Sequence, residues 1–359
     1  MNFHRILPSL ILLLLPLLAS ATSFFDLISN GTDKAVDLRI EVAMDSILNK
    51  TAAGLEASIV FTDNTGLLRS WETDLEVRGK FRRQRCEFPP LKLNFSKKAL
   101  AALGLEIWDK YKLVSTCSAD PISKNLVLKE YLAYRAYNEL TANSFRVQRL
   151  SITFVDINGN YPDRTEEGFI IEDTDEMAAR LGGKEVENPI GQPAEAYDPH
   201  AEVTHALVQY LLSNGDFSMP LARNMKAVEM PGGQLVPVGY DFDFSGWVGA
   251  PYASPTSEIG QQSIYQRIYQ GYAQSDEVMR EVALSFKSKR RQVMGLIAKF
   301  SYLPSEDLAV VHRFASRFFN DLNKKSNNDA LPLYDQLRGA VAEMIPAGAD
   351  AKSFRLMGR

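Results

Sequence analysis

In the first half of the chain, apolar and polar residues alternate with a period of two, which is typical of β-strands with one buried face. Residues 36–42 alternate cleanly, and residues 57–61 repeat the pattern before an Asp-Asn-Thr-Gly turn signal. Residues 150–155 and 168–171 flank another stretch of turn residues. The pattern predicts a β-rich region over residues 24–75 and a hairpin downstream of it.

The period changes to a helical one further along the chain. Apolar residues recur every three or four positions over residues 201–212, and Ser-Asn-Gly ends that helix. After about residue 258 the chain is predicted to turn helical, with long periodic stretches at residues 277–300, 305–322 and 331–345. A stretch rich in Gly and Pro, residues 176–199, predicts a linker with a short helix at its start.

Two short acidic segments follow the predicted helix at residues 201–212. Asp216 lies in an Asn-Gly-Asp turn, and Asp241 and Asp243 follow an apolar stretch that begins after Asn224. Two apolar-rich segments between them flank Pro-Gly-Gly, which predicts a tight hairpin. The hairpin would bring Asn224 and Asp241 to the same edge of a sheet.

Protein kinases place an Asp near the acceptor hydroxyl, then an Asn and an Asp on Mg²⁺, in this same order. Hard oxygen ligands suit Mg²⁺, which takes one or two carboxylates and keeps phosphate and water oxygens besides. We therefore predict Asp216 as the catalytic base, and Asn224, Asp241 and Asp243 as ligands of Mg²⁺ or Mn²⁺. The alternative that these residues only form a turn and end a strand stays open.

Motifs over about residues 75–250 resemble the CotH family of secreted atypical kinases. That family shows an Arg-Gly-Asn loop, an apolar strand with a Lys, a Leu-rich strand, a helix with a Tyr-Leu-Ala-Tyr core, a strand leading to the linker between lobes, and a Trp-Asp-x-Asp signature. The similar segments here are residues 75–80, 90–95, 111–114, 125–137, 168–172 and 240–243. Lys80 stands where the family usually has Asn, and Tyr240 where it usually has Trp.

The resemblance implies an α+β, two-lobed protein-kinase-like fold with a β-rich N-terminal lobe and a helical C-terminal lobe. Residues 22–75 would form a β-rich lead-in, residues 76–175 the small lobe and residues 176–359 the large lobe. ATP or another nucleotide would lie between the lobes.

The resemblance also implies roles for the basic residues of the small lobe. Arg78, Lys80 and the arginines of residues 82–85 would cover the phosphates, because guanidinium groups match phosphate geometry. Lys92 or Lys112 would be the phosphate-binding lysine, and Glu130 the ion-pair partner for either. The arginines could equally form a solvated loop, and Glu130 an exposed helix residue.

Composition limits the class of partner. The 359 residues are 45% hydrophobic and 23% charged, which is ordinary for a globular protein of one large or two closely packed domains. A net charge of -4 and a pI near 5.7 argue against a nucleic-acid partner, which would need a basic face.

Residues 1–21 have the features of a secretory signal peptide. A short positive start precedes an apolar run and an Ala-Ser-Ala cleavage site, so we expect a periplasmic or secreted protein without a membrane span in the mature chain. In an oxidising compartment Cys86 and Cys117 would form one disulfide. Two separate thiols are the alternative.

The sequence thus favours an extracytoplasmic kinase that phosphorylates a hydroxyl of an envelope protein or a small molecule. ATP is scarce outside the cytoplasm, so a binding or assembly protein on a degenerate kinase scaffold is the second hypothesis. A metal-dependent phosphoester hydrolase is the third, with Asp216, Asp241 and Asp243 as ligands. Such sites usually add histidines, and His200 and His205 are the candidates near Asp216.

Overall fold

The computed structural model describes residues 22–50, 54–79, 81–323 and Leu337. The strands of this part are β1 (Val36–Val42), β2 (Leu55–Thr62), β3 (Leu68–Val77), β4 (Leu91–Asn94), β5 (Lys110–Ser115), β6 (Val147–Asp156), β7 (Arg164–Ile171), β8 (Lys184–Val186), β9 (Met225–Glu229) and β10 (Leu235–Gly239). Its α-helices are α1 (Phe24–Ile28), α2 (Met44–Leu48), α3 (Phe81–Arg85), α4 (Lys97–Ala102), α5 (Pro121–Leu140), α6 (Thr174–Arg180), α7 (Pro199–Leu212), α8 (Asp276–Lys299) and α9 (Ser305–Asn323).

The first seven strands close into a barrel in the order β1-β2-β3-β4-β5-β7-β6. Neighbouring strands are antiparallel except at the closure, where β1 runs parallel to β6 with Val36 opposite Leu150. Alternate side chains fill the interior, as they must in a barrel of this size. Leu38, Ile40 and Leu93 are among these buried residues.

Helix α1 belongs to the barrel core. Ser23 caps it, because the Ser23 hydroxyl accepts from the Asp26 amide at 2.9 Å while the Asp26 carboxylate accepts from the Ser23 amide. This cap directs Phe24 into an aromatic cluster, with ring centroids between 4.6 and 5.7 Å from those of Phe61, Trp71, Phe95 and Tyr111. The segment directly after the predicted signal peptide is therefore part of the folded core.

A second apolar core joins the outer face of β5 and β7 to α5, α7, α8 and α9. Helix α5 begins where Asp120 caps it and Pro121 occupies its first turn, a position that lacks an amide partner in any helix. Helix α7 begins in the same way, at Asp198 and Pro199. A small antiparallel sheet, β10-β9-β8, packs beside α7.

Most of the predicted elements are present. Strand β1, the hairpins β6–β7 and β9–β10, and the helices α7, α8 and α9 lie within one or two residues of their predicted bounds at nearly every end. The α+β class is confirmed. Among the described residues, no helix is both long enough and apolar enough to cross a bilayer.

Other expectations need correction. The predicted boundary after residue 75 falls inside β3, so the lead-in strands and the later strands form one closed barrel rather than two consecutive units. The predicted linker contains β8, which pairs with β9. Residues 260–275 are not helical, since α8 begins at Asp276. The signal peptide and the helix predicted at residues 331–345, apart from Leu337, lie outside the described residues.

Candidate functional site

Asp216 lies in a loop that starts where α7 ends. Ser213 ends the helix in a left-handed conformation, with φ of 52°. The buried Asn214 side chain then donates to Gln209 Oε1 at 2.9 Å and accepts from the Asp216 amide at 3.0 Å. Through these two bonds the end of α7 fixes the backbone of Asp216, while its side chain stays 36% exposed.

Asn224 and Asp216 are directly bonded. Asn224 Nδ2 donates to Asp216 Oδ2 at 2.9 Å and to the Asp216 carbonyl at 2.8 Å. Asn224 and Asp241 both have positive φ, 54° and 64°. Asn and Asp adopt this conformation more readily than other residues with a side chain, and such strained positions cluster at functional sites.

The hairpin places Asp241 next to this pair, as predicted. The Tyr240 amide donates to the Asn224 carbonyl at 3.1 Å, so the two ends of the hairpin meet. The Asp241 amide donates to the Tyr134 hydroxyl of α5 at 2.9 Å. Phe242 packs against the Tyr134 ring, with centroids 4.6 Å apart. Helix α5 therefore sets the direction in which the acidic segment leaves the sheet.

Asp243 is the most buried of the predicted metal ligands. The Tyr252 hydroxyl donates to Asp243 Oδ2 at 3.1 Å. Burial raises the pKa of Asp243 to about 7, and the negative charge of Asp241 acts in the same direction. Partial burial also raises the pKa of Asp216, against the opposing effects of Arg223 and Asn224.

Glu130 points from the middle of α5 into this group of acids. Burial raises the pKa of Glu130 well above its usual value, and the charge of Asp243 adds to this effect. We call Glu130, Asp241 and Asp243 the acidic cluster. The negative charges of Asp243 and Asp241 raise the pKa of Glu130, and that of Asp241 raises the pKa of Asp243, so the three carboxyl groups lie in one neighbourhood.

The ion pair of Glu130 differs from the prediction. Its partner is Arg82 of α3, whose Nη1 lies 3.8 Å from Glu130 Oε2, and neither Lys92 nor Lys112 is paired with it. Arg82 Nη2 also donates to the Ser115 carbonyl at 2.9 Å. The predicted pairing with a lysine is wrong, because the guanidinium of Arg82 on α3 is the cation next to Glu130.

The two candidate lysines share one face of the barrel but have different surroundings. Lys92 and Lys112 are opposite each other in the β4–β5 pairing. Lys92 forms an ion pair with Glu76 at 2.7 Å. Lys112 Nζ lies over the Tyr240 ring, 4.0 Å from its centroid, and Asp241 is among its electrostatic neighbours. Lys112 therefore lies near the acidic cluster, whereas Lys92 is paired with Glu76.

Arg78 and Lys112 form a basic group opposite the acids. Among the described residues, neither forms an ion pair with a carboxylate. Burial, together with the charges of Arg78 and Lys226, lowers the pKa of Lys112 to about 7. Lys226 itself is paired with Glu185 at 2.5 Å. Lys80, also predicted to bind phosphate, lies outside the described residues.

An aromatic group covers the acidic cluster from the side of α3. The rings of Phe81, Phe244 and Tyr252 lie with centroids 5.2 to 5.6 Å apart. The predicted disulfide between Cys86 and Cys117 is present and joins the chain just after α3 to the chain just after β5. Helix α3 is therefore held at both ends.

The donor set suits a hard divalent cation. Asn224 uses its amide nitrogen on Asp216, which leaves its amide oxygen for a ligand, and Asp241 and Asp243 add carboxylate oxygens. Within the described part of the chain, no three His, Cys, Asp or Glu side chains are grouped closely enough to hold a metal by themselves. The set fits Mg²⁺ or Mn²⁺ that also takes phosphate and water oxygens, and it does not fit a site made of protein ligands alone.

The two histidines do not join the site. His205 is fully buried, with Nδ1 3.3 Å from the Tyr137 hydroxyl and its ring against Phe217. Burial lowers its pKa to about 3. His200 pairs with Glu281 at 2.7 Å on the surface. The phosphoester hydrolase hypothesis therefore gains no histidine ligand from His200 or His205.

A pocket of about 540 Å³ lies elsewhere, against α1 and the end of α5. Arg135, Arg146 and Arg180 line it, but each is already paired with a carboxylate. None of the predicted site residues lines this pocket. We place the candidate site at the acidic cluster, because two basic groups beside it, Arg78 and Lys112, have no carboxylate partner among the described residues.

Sequence reasoning missed several contributors to the site. Tyr134 belongs to the Tyr-Leu-Ala-Tyr core that the sequence showed, but nothing indicated that its hydroxyl binds the Asp241 amide. Tyr252 and Glu185 come from segments without a motif. The pairing of Arg82 with Glu130 depends on the fold of α3, which the charge pattern of that segment does not encode.

Comparison with known proteins adds little. No protein-family model matches the chain, and no curated protein matches it. A solved structure that shows some similarity is that of the Helicobacter pylori proinflammatory kinase CtkA, at 10% identity and a TM-score of 0.37. The similarity covers 71% of this chain and 92% of that chain. A similarity this weak identifies neither the fold nor the function of this chain.

Proposed function

We propose that this chain is a kinase-like phosphotransferase that binds a nucleotide with a divalent cation and transfers a phosphoryl group to a hydroxyl. One observation carries the proposal. Two half-buried cations, Arg78 and Lys112, have no carboxylate partner among the described residues and lie near the acidic residues Asp241 and Asp243. Buried cations without an anion are costly, so such a group indicates an anionic ligand.

Each residue has a role that its environment supports. Arg78 and Lys112 would hold the phosphates, since a phosphate would restore the charge that burial disfavours on Lys112. Asn224, Asp241 and Asp243 would hold Mg²⁺ or Mn²⁺, which would neutralise charge on the transferring phosphoryl group. Asp216 would accept the proton of the acceptor hydroxyl, because its side chain is exposed enough to meet one.

The resemblance to CotH kinases agrees with this order of residues and extends the proposal. In a two-lobed arrangement, the barrel and α5 would form the small lobe, and the chain after β7 would form the large lobe. A secreted or periplasmic protein would act on an envelope protein or a small molecule with a hydroxyl group. ATP or another nucleotide would be the donor.

A second candidate is a binding or assembly protein on a catalytically degenerate scaffold. The observation in its favour is Arg82, a cation of the chain itself that already pairs with the acidic cluster. In such a protein the site would bind a nucleotide or a cation weakly, and no phosphoryl group would be transferred.

Labelling of the mature protein and of envelope extract with radioactive ATP, with Mg²⁺ or Mn²⁺, tests the proposal. We expect wild type to transfer label and Asp216→Ala to lose it by about 10² to 10⁴ in rate, since a positioned base contributes that much. Nucleotide affinity, measured by calorimetry, should stay within a few fold because Asp216 does not hold the phosphates.

Glu258→Gln is the matched control, because Glu258 acts on Asp216 through charge without a hydrogen bond to it. This variant should label like wild type. A wild-type protein that binds nucleotide but transfers no label would support the degenerate scaffold instead. Equal labelling by wild type and Asp216→Ala would keep the kinase and exclude Asp216 as its base.

A further inference from the structure

Helix α3 carries a cation into the acidic cluster. Arg82 is only 11% exposed, although the neighbouring Phe81 and Arg85 face solvent on the same short helix. Its guanidinium lies 3.8 Å from Glu130 and acts electrostatically on Asp243 as well. Arg82 is therefore the positive charge that reaches the cluster from the side of α3.

The cluster needs such a charge. Glu130 is 3% exposed and Asp243 is also buried, and ionised carboxylates out of water are costly unless a cation is near. Lys112 does not pair with Glu130 or Asp243, because its amine lies over the Tyr240 ring. Arginine suits this position, since a delocalised guanidinium is weakly hydrated and keeps its charge when buried.

The contacts of α3 hold Arg82 in place. Phe81 packs on Phe244 and Tyr252, with centroids 5.2 and 5.6 Å away. On the other side Cys86 is bonded to Cys117, and the Phe88 amide donates to the Cys117 carbonyl at 3.1 Å. The disulfide and the Arg82–Glu130 pair thus join the α3 segment to two successive parts of the chain, the one just after β5 and the middle of α5.

We propose that Arg82 is the built-in counter-ion of the acidic cluster, a positioning residue that holds Glu130 and competes with the divalent cation for Asp243. The competition rests on the proposed function, whereas the ion pair does not. A guanidinium repels a nearby divalent cation, so binding of the cation must weaken the contact between Arg82 of α3 and the acidic cluster. By linkage, removal of Arg82 must strengthen binding of the cation.

The first experiment measures Mn²⁺ binding to the full mature protein by calorimetry in the presence of a saturating non-hydrolysable ATP analogue, because the site needs phosphate oxygens besides its own ligands. Arg82→Gln should bind Mn²⁺ about fivefold or more tightly than wild type, a coupling typical of linked sites. Arg82→Lys keeps the charge and should stay within about twofold of wild type. Unchanged or weaker binding by Arg82→Gln would overturn the competition.

Arg83→Gln is the matched control. Arg83 lies on the same helix but donates to the Lys50 carbonyl at 2.8 Å, so its loss removes a charge without touching the cluster. If Arg83→Gln tightened Mn²⁺ binding as much as Arg82→Gln, a general effect of surface charge would replace the proposal.

A second experiment needs no metal. Thermal unfolding is measured for Arg82→Gln, Glu130→Gln and the double variant. Arg82→Gln alone leaves an uncompensated buried carboxylate and should lower Tm, and the double variant should recover most of that loss. Additive losses in the double variant would overturn the ion pair as a positioning contact. If the two residues are strongly coupled but the protein binds no Mn²⁺, Arg82 would still be the counter-ion of Glu130. Its competition with a cation, and the metal part of the proposed function, would both be refuted.

Discussion

Two lysines that face each other across β4 and β5 show how surroundings decide a role. The sequence left Lys92 and Lys112 as rivals, because both stand in apolar strands with the same alternation. The structure separates them by what lies beyond the strand: Glu76 pairs with Lys92, while Tyr240 and Asp241 surround Lys112. Identical periodicity thus leads to one half-buried lysine that is paired with Glu76 and one half-buried lysine that has no carboxylate partner among the described residues.

We predict that Lys112→Met removes most nucleotide affinity and that Lys92→Met does not. Lys112 has a pKa of about 7, so at pH 8 its amine is mostly neutral in the free protein. Phosphate favours the charged amine, so binding should take up a proton, and affinity should fall as the pH rises above 7. Calorimetry at pH 8 in buffers of different ionisation enthalpy measures this uptake.

Lys92→Met is the matched control for this experiment, since it removes an opposing lysine of the same barrel face. It should bind nucleotide and take up a proton as wild type does. Loss of affinity in Lys92→Met alone would move the phosphate-binding role to Lys92.

At the residue scale, relative positions were predicted correctly where the geometry was local. The sequence could place Asn224 beside Asp241, because a hairpin with Pro-Gly-Gly must bring its own two ends together. Both prove to have positive φ, which the choice of Asn and Asp permits. The contribution of Tyr252 could not be predicted, because its hydrogen bond to Asp243 depends on how the loop after the acidic segment folds back.

At the scale of elements, the closure of the barrel could not be predicted from the sequence. Alternation identified β1 and β6 separately, but it carries no information on which strands pair. The parallel contact of β1 with β6 joins residues more than a hundred positions apart, such as Val36 and Leu150. Hairpins such as β6–β7 and β9–β10 were predictable because their partners are adjacent in the chain.

The disulfide is the element-scale feature most open to a stability test. Cys86 and Cys117 are 31 residues apart, and closing a loop of that length restricts the unfolded chain by about 3 to 4 kcal/mol. We expect the Cys86→Ser, Cys117→Ser double variant to lose stability of about that size in urea unfolding. Its midpoint should fall with little change in slope.

Dithiothreitol provides the control for the disulfide experiment. The reductant should shift the urea midpoint of wild type toward that of the double variant and leave the double variant unchanged. An equal shift in both proteins would mean that the reductant acts on something other than this bond.

At the scale of the whole molecule, two cores meet at the site. The barrel interior with α1 forms one, and the helices packed on the outer face of β5 and β7 form the other. Arg78 and Lys112 come from the barrel, whereas Asp216, Asn224, Asp241 and Asp243 come from the part built on α7 and the small sheet. The sequence predicted this division of basic and acidic residues, but not the α3 segment that joins them.

Buried carboxyl groups also give the whole molecule a pH dependence. Burial raises the pKa values of Asp243, Glu176 and Glu202 to about 7. A carboxyl with a raised pKa keeps its proton in the folded state at pH values where the unfolded chain has lost it. Its stabilising effect is complete below the unfolded pKa, near 4, and is lost as the pH rises through 7.

His205 opposes this trend, because its pKa of about 3 makes folding less favourable as the pH falls below 6.5. Three carboxyl groups outweigh one imidazole, so we predict that the free energy of unfolding falls as the pH rises from 5 to 7.5. Each group contributes at most about 1.4 kcal/mol per pH unit. Urea unfolding at a series of pH values measures the slope.

Glu202→Gln isolates one contribution to this slope away from the candidate site. Glu202 is fully buried and accepts from the Tyr272 amide at 2.9 Å, a bond that the glutamine carbonyl can also accept. Between pH 5 and 7.5, the free energy of unfolding of this variant should fall less steeply with pH than that of wild type. The difference in slope should correspond to about one bound proton. Because the amide does not ionise, it should also gain stability relative to wild type above pH 7. A slope equal to that of wild type would mean that Glu202 keeps an ordinary pKa and that its burial is compensated in another way.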